Sequence, residues 1–300
     1  MNKTIFEKDN LKILGIMIRV TRHEYNYSLR KLSSLTNISH TLISNIEKGK
    51  QSPSEETLRD IFKVLNIDLY RDEEISKEMT SMYKSIYNHL INYQYDDAGL
   101  LVEELERKQE IYENSFELIN YFLIRTLYYT MSKTPSKDTD INIIKFKKVI
   151  EHLSPIQQQI FWYIEGINYL NKEHYKNATE SLTKALSVGE LEFHVLIEEQ
   201  LVMAYFKQYR FTDSVSMSKK VITEYESRTN YVRAMNCRLT ISKLYTLILK
   251  LDQAKELIQH IENFANQFNV SFLKDGCHEG RAMIHFFKNE YDLANIELDK

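Results

Sequence analysis

Apolar residues recur every three to four positions along almost the whole chain, the spacing of helices that each bury one face. Between residues 10 and 70 four short amphipathic stretches follow one another. Leu11, Leu14 and Ile18, with Ile16 beside them, mark one face of the first, and Arg19 and Arg22 lie off it. Leu29, Leu32 and Leu35 form the inner side of the second. Ser28 is placed to cap that stretch by accepting a free amide of its first turn. Thr36-Asn37-Ile38 makes a three-residue connection, in which Asn37 supplies a left-handed residue. Ser39 caps the third stretch, Leu42, Ile43 and Ile46 anchor it, and Gly49 ends it. Pro53 and Ser54 open the fourth, with Leu58, Ile61, Phe62 and Leu65 facing inward.

Two short helices joined by a tight turn and flanked by two more predict a helix-turn-helix domain. The second helix of such a motif enters the DNA major groove with its leading end. Here that end and outer face carry His40, Thr41, Ser44 and Asn45, side chains suited to base edges and phosphates. Ser39, Arg30, Lys48 and Lys50 are the candidate phosphate contacts, Ser39 in addition to its capping role. Glu47 reads as structural, since DNA repels a carboxylate, and Arg19 is its candidate partner inside the domain. Ile18-Arg19, Ser28-x-x-x-Leu32, Ile38-Ser39, Ile43-Ser44, Ile46-Glu47-x-Gly49, Ser52-Pro53 and Leu58 together resemble the XRE/Cro-type, lambda-repressor-like family from about Leu11 to Ile67. Leu29 departs from that pattern, which usually has a DNA-contacting Gln after the cap. Ser33 and Asn37 stand where the family has a small residue and a turn glycine.

Beyond residue 72 one phrase repeats: Tyr95-x-x-Ala98, Tyr175-x-x-Ala178, Phe211-x-x-Ser214, Leu251-x-x-Ala254 and Tyr291-x-x-Ala294. The steps are 80, 36, 40 and 40 residues, and the first leaves room for a degenerate unit around 115–155. Each phrase opens a helix that follows another, so the unit is a helical hairpin and the array a solenoid. Trp162-x-x-x-Gly166-x-x-Tyr169, followed by Tyr175, Ala178, Leu182 and Ala185, resembles the tetratricopeptide repeat. Gly166 and Ala178 fall where two helices cross, although Glu165 replaces the expected Leu. The resemblance implies a concave groove lined by the first helix of each hairpin. Its inward positions carry over to Tyr163, Ile167, Asn171, Glu199, Met203, Phe206, Asn236, Lys243, Thr246, Met283 and Phe286. Asn171, Glu199, Met203, Phe206, Asn236 and Lys243 are the candidate peptide-binding residues, apolar groups for side chains and polar ones for backbone or carboxylate.

Composition agrees with an all-α protein. Only 7 Gly and 3 Pro occur among 300 residues, too few for a turn-rich β fold. The net charge is −3, but residues 1–66 hold 11 Lys/Arg against 7 Asp/Glu, a basic head on an acidic body. No apolar run reaches membrane-spanning length, and the N-terminal residues have no signal core, so a cytoplasmic protein with no membrane partner is expected. Cys237 and Cys277 read as packed thiols, and His285 as a core residue. No phosphate loop, dinucleotide turn or metal-ligand spacing occurs. No catalytic residue, metal or cofactor is therefore expected, and the protein is read as not an enzyme.

The expectation is a lambda-repressor-like helix-turn-helix domain over 1–70 and a TPR-like α-solenoid over 71–300. The sequence stops at Lys300, early in the second helix of a hairpin, so further sequence beyond it is expected. This layout resembles the RRNPP peptide-sensing quorum regulators (Rap, Rgg, NprR, PlcR, PrgX), the RstA-type members most. The resemblance implies a homodimeric transcription factor on a palindromic operator of double-stranded DNA, controlled by a short signalling peptide in the groove. It also leaves two alternatives. Residues 74–130, rich in Tyr, Glu and Gln, are the segment by which some relatives seize a phosphorelay response regulator, with Gln94 or Gln109 able to orient a water. The other is a peptide-independent dimeric repressor.

Overall fold

The computed structural model describes residues 8–69, 73–134, 138–189 and 192–300. Residues 1–7 and 70–72, the edges of the expected head, lie outside the described residues. Every regular element described is helical. The chain divides into two compact units, residues 1–164 and 165–300.

The first unit begins with the four expected helices: α1 (Lys8–Glu24), α2 (Leu29–Thr36), α3 (His40–Glu47) and α4 (Glu55–Leu65). The local signals do what their chemistry requires. Ser28 Oγ accepts from the Lys31 amide, Ser39 Oγ from Leu42 and Ser54 Oγ from Thr57. Asn37 takes φ 55° and Gly49 φ 62°, so both chain reversals use left-handed residues. Leu14, Met17, Ile18, Leu32, Ile43, Ile46, Leu58, Ile61 and Leu65 form one core. Leu35, expected inward, is exposed: α2 is only eight residues long, and its buried stripe ends on Leu32 and Thr36. Thr36 satisfies its own hydroxyl there by donating to the Leu32 carbonyl.

Gly15 sets the closeness of α1 to α3. A Cβ at that position would lie 2.5 Å from the Ile46 carbonyl oxygen and 2.8 Å from that of Glu47. Those are backbone atoms and cannot yield as a side chain would.

Helices α5 (Glu73–Ile91), α6 (Tyr95–Arg107), α7 (Gln109–Glu113), α8 (Leu118–Met131) and α9 (Thr139–Lys147) complete this unit, with a 3-10 turn at Ile150–His152 and the start of α10 (Pro155–Asn171). The pair α8–α9 occupies the place of the degenerate repeat. Leu118 belongs to the core of the helix-turn-helix motif, with Phe116 and Phe122 packed against it. Lys145 of α9 donates to Glu24 of α1 at 2.6 Å. Gln94 Oε1 meets His89 Nδ1 at 3.0 Å, and Gln109 donates to Glu113. Both glutamines are thus engaged within the chain.

The second unit takes in the end of α10, then α11 (Tyr175–Ser187), α12 (His194–Lys207), α13 (Phe211–Ser227), α14 (Tyr231–Leu247), α15 (Leu251–Gln267), α16 (Ser271–Phe287) and α17 (Tyr291–Leu298). Each repeated phrase opens a helix at its first residue. From α11 onward each helix packs on the next, and α14 also packs on α12 and α16, the connectivity of stacked hairpins. Gly166 is where the crossing demands it, since a Cβ would sit 2.6 Å from Leu182 Cγ. Glu165, in place of the usual Leu, is buried and accepts from Ser181 Oγ at 2.6 Å.

The turns after α12 explain the 40-residue period. Tyr209, Thr229, Leu249, Asn269 and Asn289, spaced by 20, each adopt φ between 51° and 61°. From α13 to α16 every helix is 17 residues long, and each is joined to the next by a three-residue turn with one left-handed residue. Asn suits that conformation and a β-branched Thr does not. Thr229 is exposed, and among the described residues no side-chain hydrogen bond holds it. Thr229→Asn is expected to stabilise the protein by about 1 kcal/mol. A urea midpoint no higher than that of the parent would refute this.

Candidate functional site

The sequence-predicted DNA-facing residues come together on one surface. His40 and Thr41 stand exposed at the leading end of α3, and Ser44 and Asn45 are half-exposed on its outer side. Opposite them Leu42, Ile43 and Ile46 hold the helix on the core. Ser33 Oγ donates to the Ile38 carbonyl at 2.6 Å, tying the turn between α2 and α3. Ser39, Arg30, Lys48 and Lys50 are exposed around this face. Gln51, which the sequence reading missed, follows Lys50 and accepts from Asn45 Nδ2 at 3.4 Å. Leu29 is half-buried against the core, which accounts for a leucine where the family has a DNA-contacting Gln.

Glu47 is internal, as expected, but its partner is Arg22 and not Arg19. Arg22 Nε donates to Glu47 Oε1 at 2.6 Å, and Nη2 to Oε2 at 2.9 Å, a two-pronged buried pair. A third donor, Nη1, reaches the Tyr27 carbonyl at 2.8 Å. Arg19 lies three residues earlier and turns instead toward His152. The pair neutralises the one carboxylate of α3. Among the described residues Arg30, Lys48 and Lys50 form no ion pair, so there the face keeps its positive charge.

In the second unit, four of the six predicted peptide-binding residues line a single cavity of about 350 Å³. Met203, Phe206, Asn236 and Lys243 surround it together with Leu239, Phe272, Asp275, Gly276 and Glu279. It is built on α12, α14 and α16, the alternate helices of the stack. Lys243 Nζ donates to Glu279 Oε2 at 2.8 Å across its rim. Gly276 belongs to its wall because a Cβ there would strike Leu239 Cδ1 at 2.6 Å.

The other two depart from expectation. Glu199 is buried and bound to Arg233, itself 1 % exposed, and it accepts from Tyr225 Oη at 2.5 Å. Its carboxylate serves the interior. Asn171 is exposed at the last residue of α10 and does not line the cavity. Tyr163, Ile167 and Thr246, also expected to face a groove, are buried. Met283 is half-buried and Phe286 exposed, as a surface position permits. His285 is not core: its Nδ1 meets Glu290 at the surface. Burial pushes the Cys277 thiol up to about 11 and the Cys237 thiol well above its usual value, the latter with help from the Glu199 charge.

A helix-turn-helix followed by stacked helical hairpins is the class that the fold defines, and residues 18–71 match the helix-turn-helix family model. The chain is homologous to the transcriptional activator NprA of Geobacillus stearothermophilus, 24% identical over 274 residues that cover 84% of this chain and 65% of NprA. Its fold is similar to that of NprR solved in complex with its cognate peptide NprX (TM-score 0.60, 18% identity, 73% of this chain and 65% of NprR). It is also similar to that of Bacillus thuringiensis PlcR in complex with the peptide PapR7 and DNA (TM-score 0.53, 16% identity, 89% of this chain and 99% of PlcR). The chain spans just under two thirds of the length of NprA and of NprR. No helix among the described residues is long and apolar enough to cross a membrane.

Proposed function

We propose that this protein is a sequence-specific, DNA-binding transcriptional regulator whose activity is set by a short signalling peptide. Residues 1–70 read the DNA and residues 71–300 hold the peptide, with Met203, Phe206, Asn236 and Lys243 among its contacts. The observation that carries the reading is the outer face of α3, polar, flanked by Arg30, Lys48 and Lys50, and free of carboxylate charge. One such face touches few phosphates, so the protein acts as a homodimer whose two heads sit one helical turn apart on a palindrome. It works in the cytoplasm, where operator and imported peptide meet. Control requires only that the peptide bind the DNA-competent and incompetent forms with different affinity.

Two substitutions test the division of labour on α3. Asn45→Ala removes a base-reading amide and relaxes sequence preference by about 1–3 kcal/mol at one position. Lys50→Ala weakens all duplexes alike and lowers the slope of log K against log salt by about 1. Fluorescence anisotropy across a salt series reads both, and an unchanged slope for Lys50→Ala would remove that phosphate contact. The peptide itself is detected by thermal shift, since a ligand held at a hundred times its Kd stabilises the native state by about 2.7 kcal/mol. Co-purification of a response regulator, with no thermal shift from peptide, would favour the interaction-module reading instead.

A further inference from the structure

The positive charge beside α3 does not stop at the helix-turn-helix. Gly49 packs against Lys12 of α1, where a Cβ would lie 3.1 Å from Lys12 Cγ, so Lys12 sits beside the Lys48–Lys50 loop. Arg19, two turns along the same helix, meets His152 of the 3-10 turn, with Arg19 Nη1 3.5 Å from His152 Nε2. Helix α1 and this turn are packed together in the first unit. Lys148 is exposed at the end of α9, just ahead of the turn, and bears on His23 near the end of α1. Among the described residues, Lys12, Lys48, Lys50 and Lys148 form no ion pair. Cations therefore line a band from the loop after α3, over α1, to the corner between α9 and the 3-10 turn, with Glu24, held by Lys145, and Glu151 beside it.

The titration of the two histidines in the band reports the same field. Burial lowers the His152 pKa first, and Arg19, Lys48 and Lys12 lower it further, with Glu151 the acidic neighbour opposing them. Burial also lowers that of His23, with Arg22, Lys148 and Arg19 adding to it and Glu47 opposing. Both are therefore poor cations themselves. Neutral His152 offers Nε2 to Arg19 and steadies its guanidinium.

A row of unpaired lysines that continues a DNA-facing surface has an evident counter-charge in the phosphates of the same duplex. We propose that Lys148, outside the helix-turn-helix, is a DNA-backbone contact, and that the corner it occupies extends the grip of the head along the duplex. The proposal rests on the reading of the head as DNA-binding. It assigns to the body a direct share in affinity, so that any shift of α9 relative to α1 changes DNA binding without touching α3.

The test uses the full chain and a 30-base-pair duplex of mixed sequence, because phosphate contacts do not depend on an operator. Lys148→Gln is expected to lower the salt slope by about 1, which amounts to a roughly threefold to fourfold smaller change in affinity between 50 and 200 mM salt. Lys148→Arg should keep the parental slope. Neither should move the melting temperature, since Lys148 is exposed and unpaired. If Lys50→Ala lowers the slope and Lys148→Gln does not, the extension is wrong and the head reading stands. If the parent protein shows no salt-dependent binding at all, the head reading fails and takes the extension with it.

Discussion

Glu47→Ala is expected to cost the helix-turn-helix about 3–5 kcal/mol, enough to unfold it and abolish DNA binding. The reason is the group left behind. Arg22 is 5 % exposed, and with the carboxylate gone its guanidinium faces only neutral groups among the described residues, the Tyr27 carbonyl and, at 3.4 Å, His23 Nε2. A buried guanidinium cannot escape the penalty by losing its proton. The substitution also frees the last residue of α3 from α1, so the helix that carries His40, Thr41, Ser44 and Asn45 loses its seat. Arg22→Met combined with Glu47→Leu removes both charges and should fold within about 1 kcal/mol of the parent. Urea unfolding, with hydrogen exchange on the α1 and α3 amides, separates the two. A single variant as stable as the parent would mean that the pair is ornamental.

Arg233→Ala has a comparable effect in the second unit, about 3–5 kcal/mol. Arg233 and Glu199 are both buried, and Tyr225 donates its hydroxyl to the same carboxylate. Without Arg233 the Glu199 charge loses its cationic partner in the interior. The pair joins α14 to α12 about one turn from Asn236 and Met203, which line the cavity. Loosening it should therefore lower stability and, on the proposed function, erase the thermal shift expected from peptide. Arg233→Met with Glu199→Met removes both buried charges together and recovers most of the stability. Exchange protection of the α12 and α14 amides is the measurement. Parental protection in Arg233→Ala would contradict the assignment.

What the sequence disclosed, and what it withheld, follows from the range of the forces involved. Caps and turns depend on a residue and its next few neighbours, so Ser28, Asn37, Ser39, Gly49 and Ser54 could be placed from local chemistry. The repeat starts at Tyr95, Tyr175, Phe211, Leu251 and Tyr291 were equally legible, because each unit meets the same neighbour. Pairings across helices were not. Arg19 and Arg22 are one turn apart on α1, and only the rotation of α1 against α3 decides which reaches Glu47. The same holds for Glu199: a glutamate on the first helix of a hairpin reads as groove-facing until Arg233, thirty-four residues on, is seen to claim it. Gly15 gave no sequence signal, because its role is the approach of another backbone rather than a turn. Gln51 could have been found as the next polar residue after Lys50.

The most direct test is selection of genomic fragments by the purified protein, with and without a peptide fraction from culture. The account predicts that the protein enriches fragments sharing an inverted repeat, that Asn45→Ala blurs that repeat, and that the peptide fraction changes the enrichment. Recovery of fragments in proportion to bulk DNA, whether or not the peptide fraction is present, would contradict it.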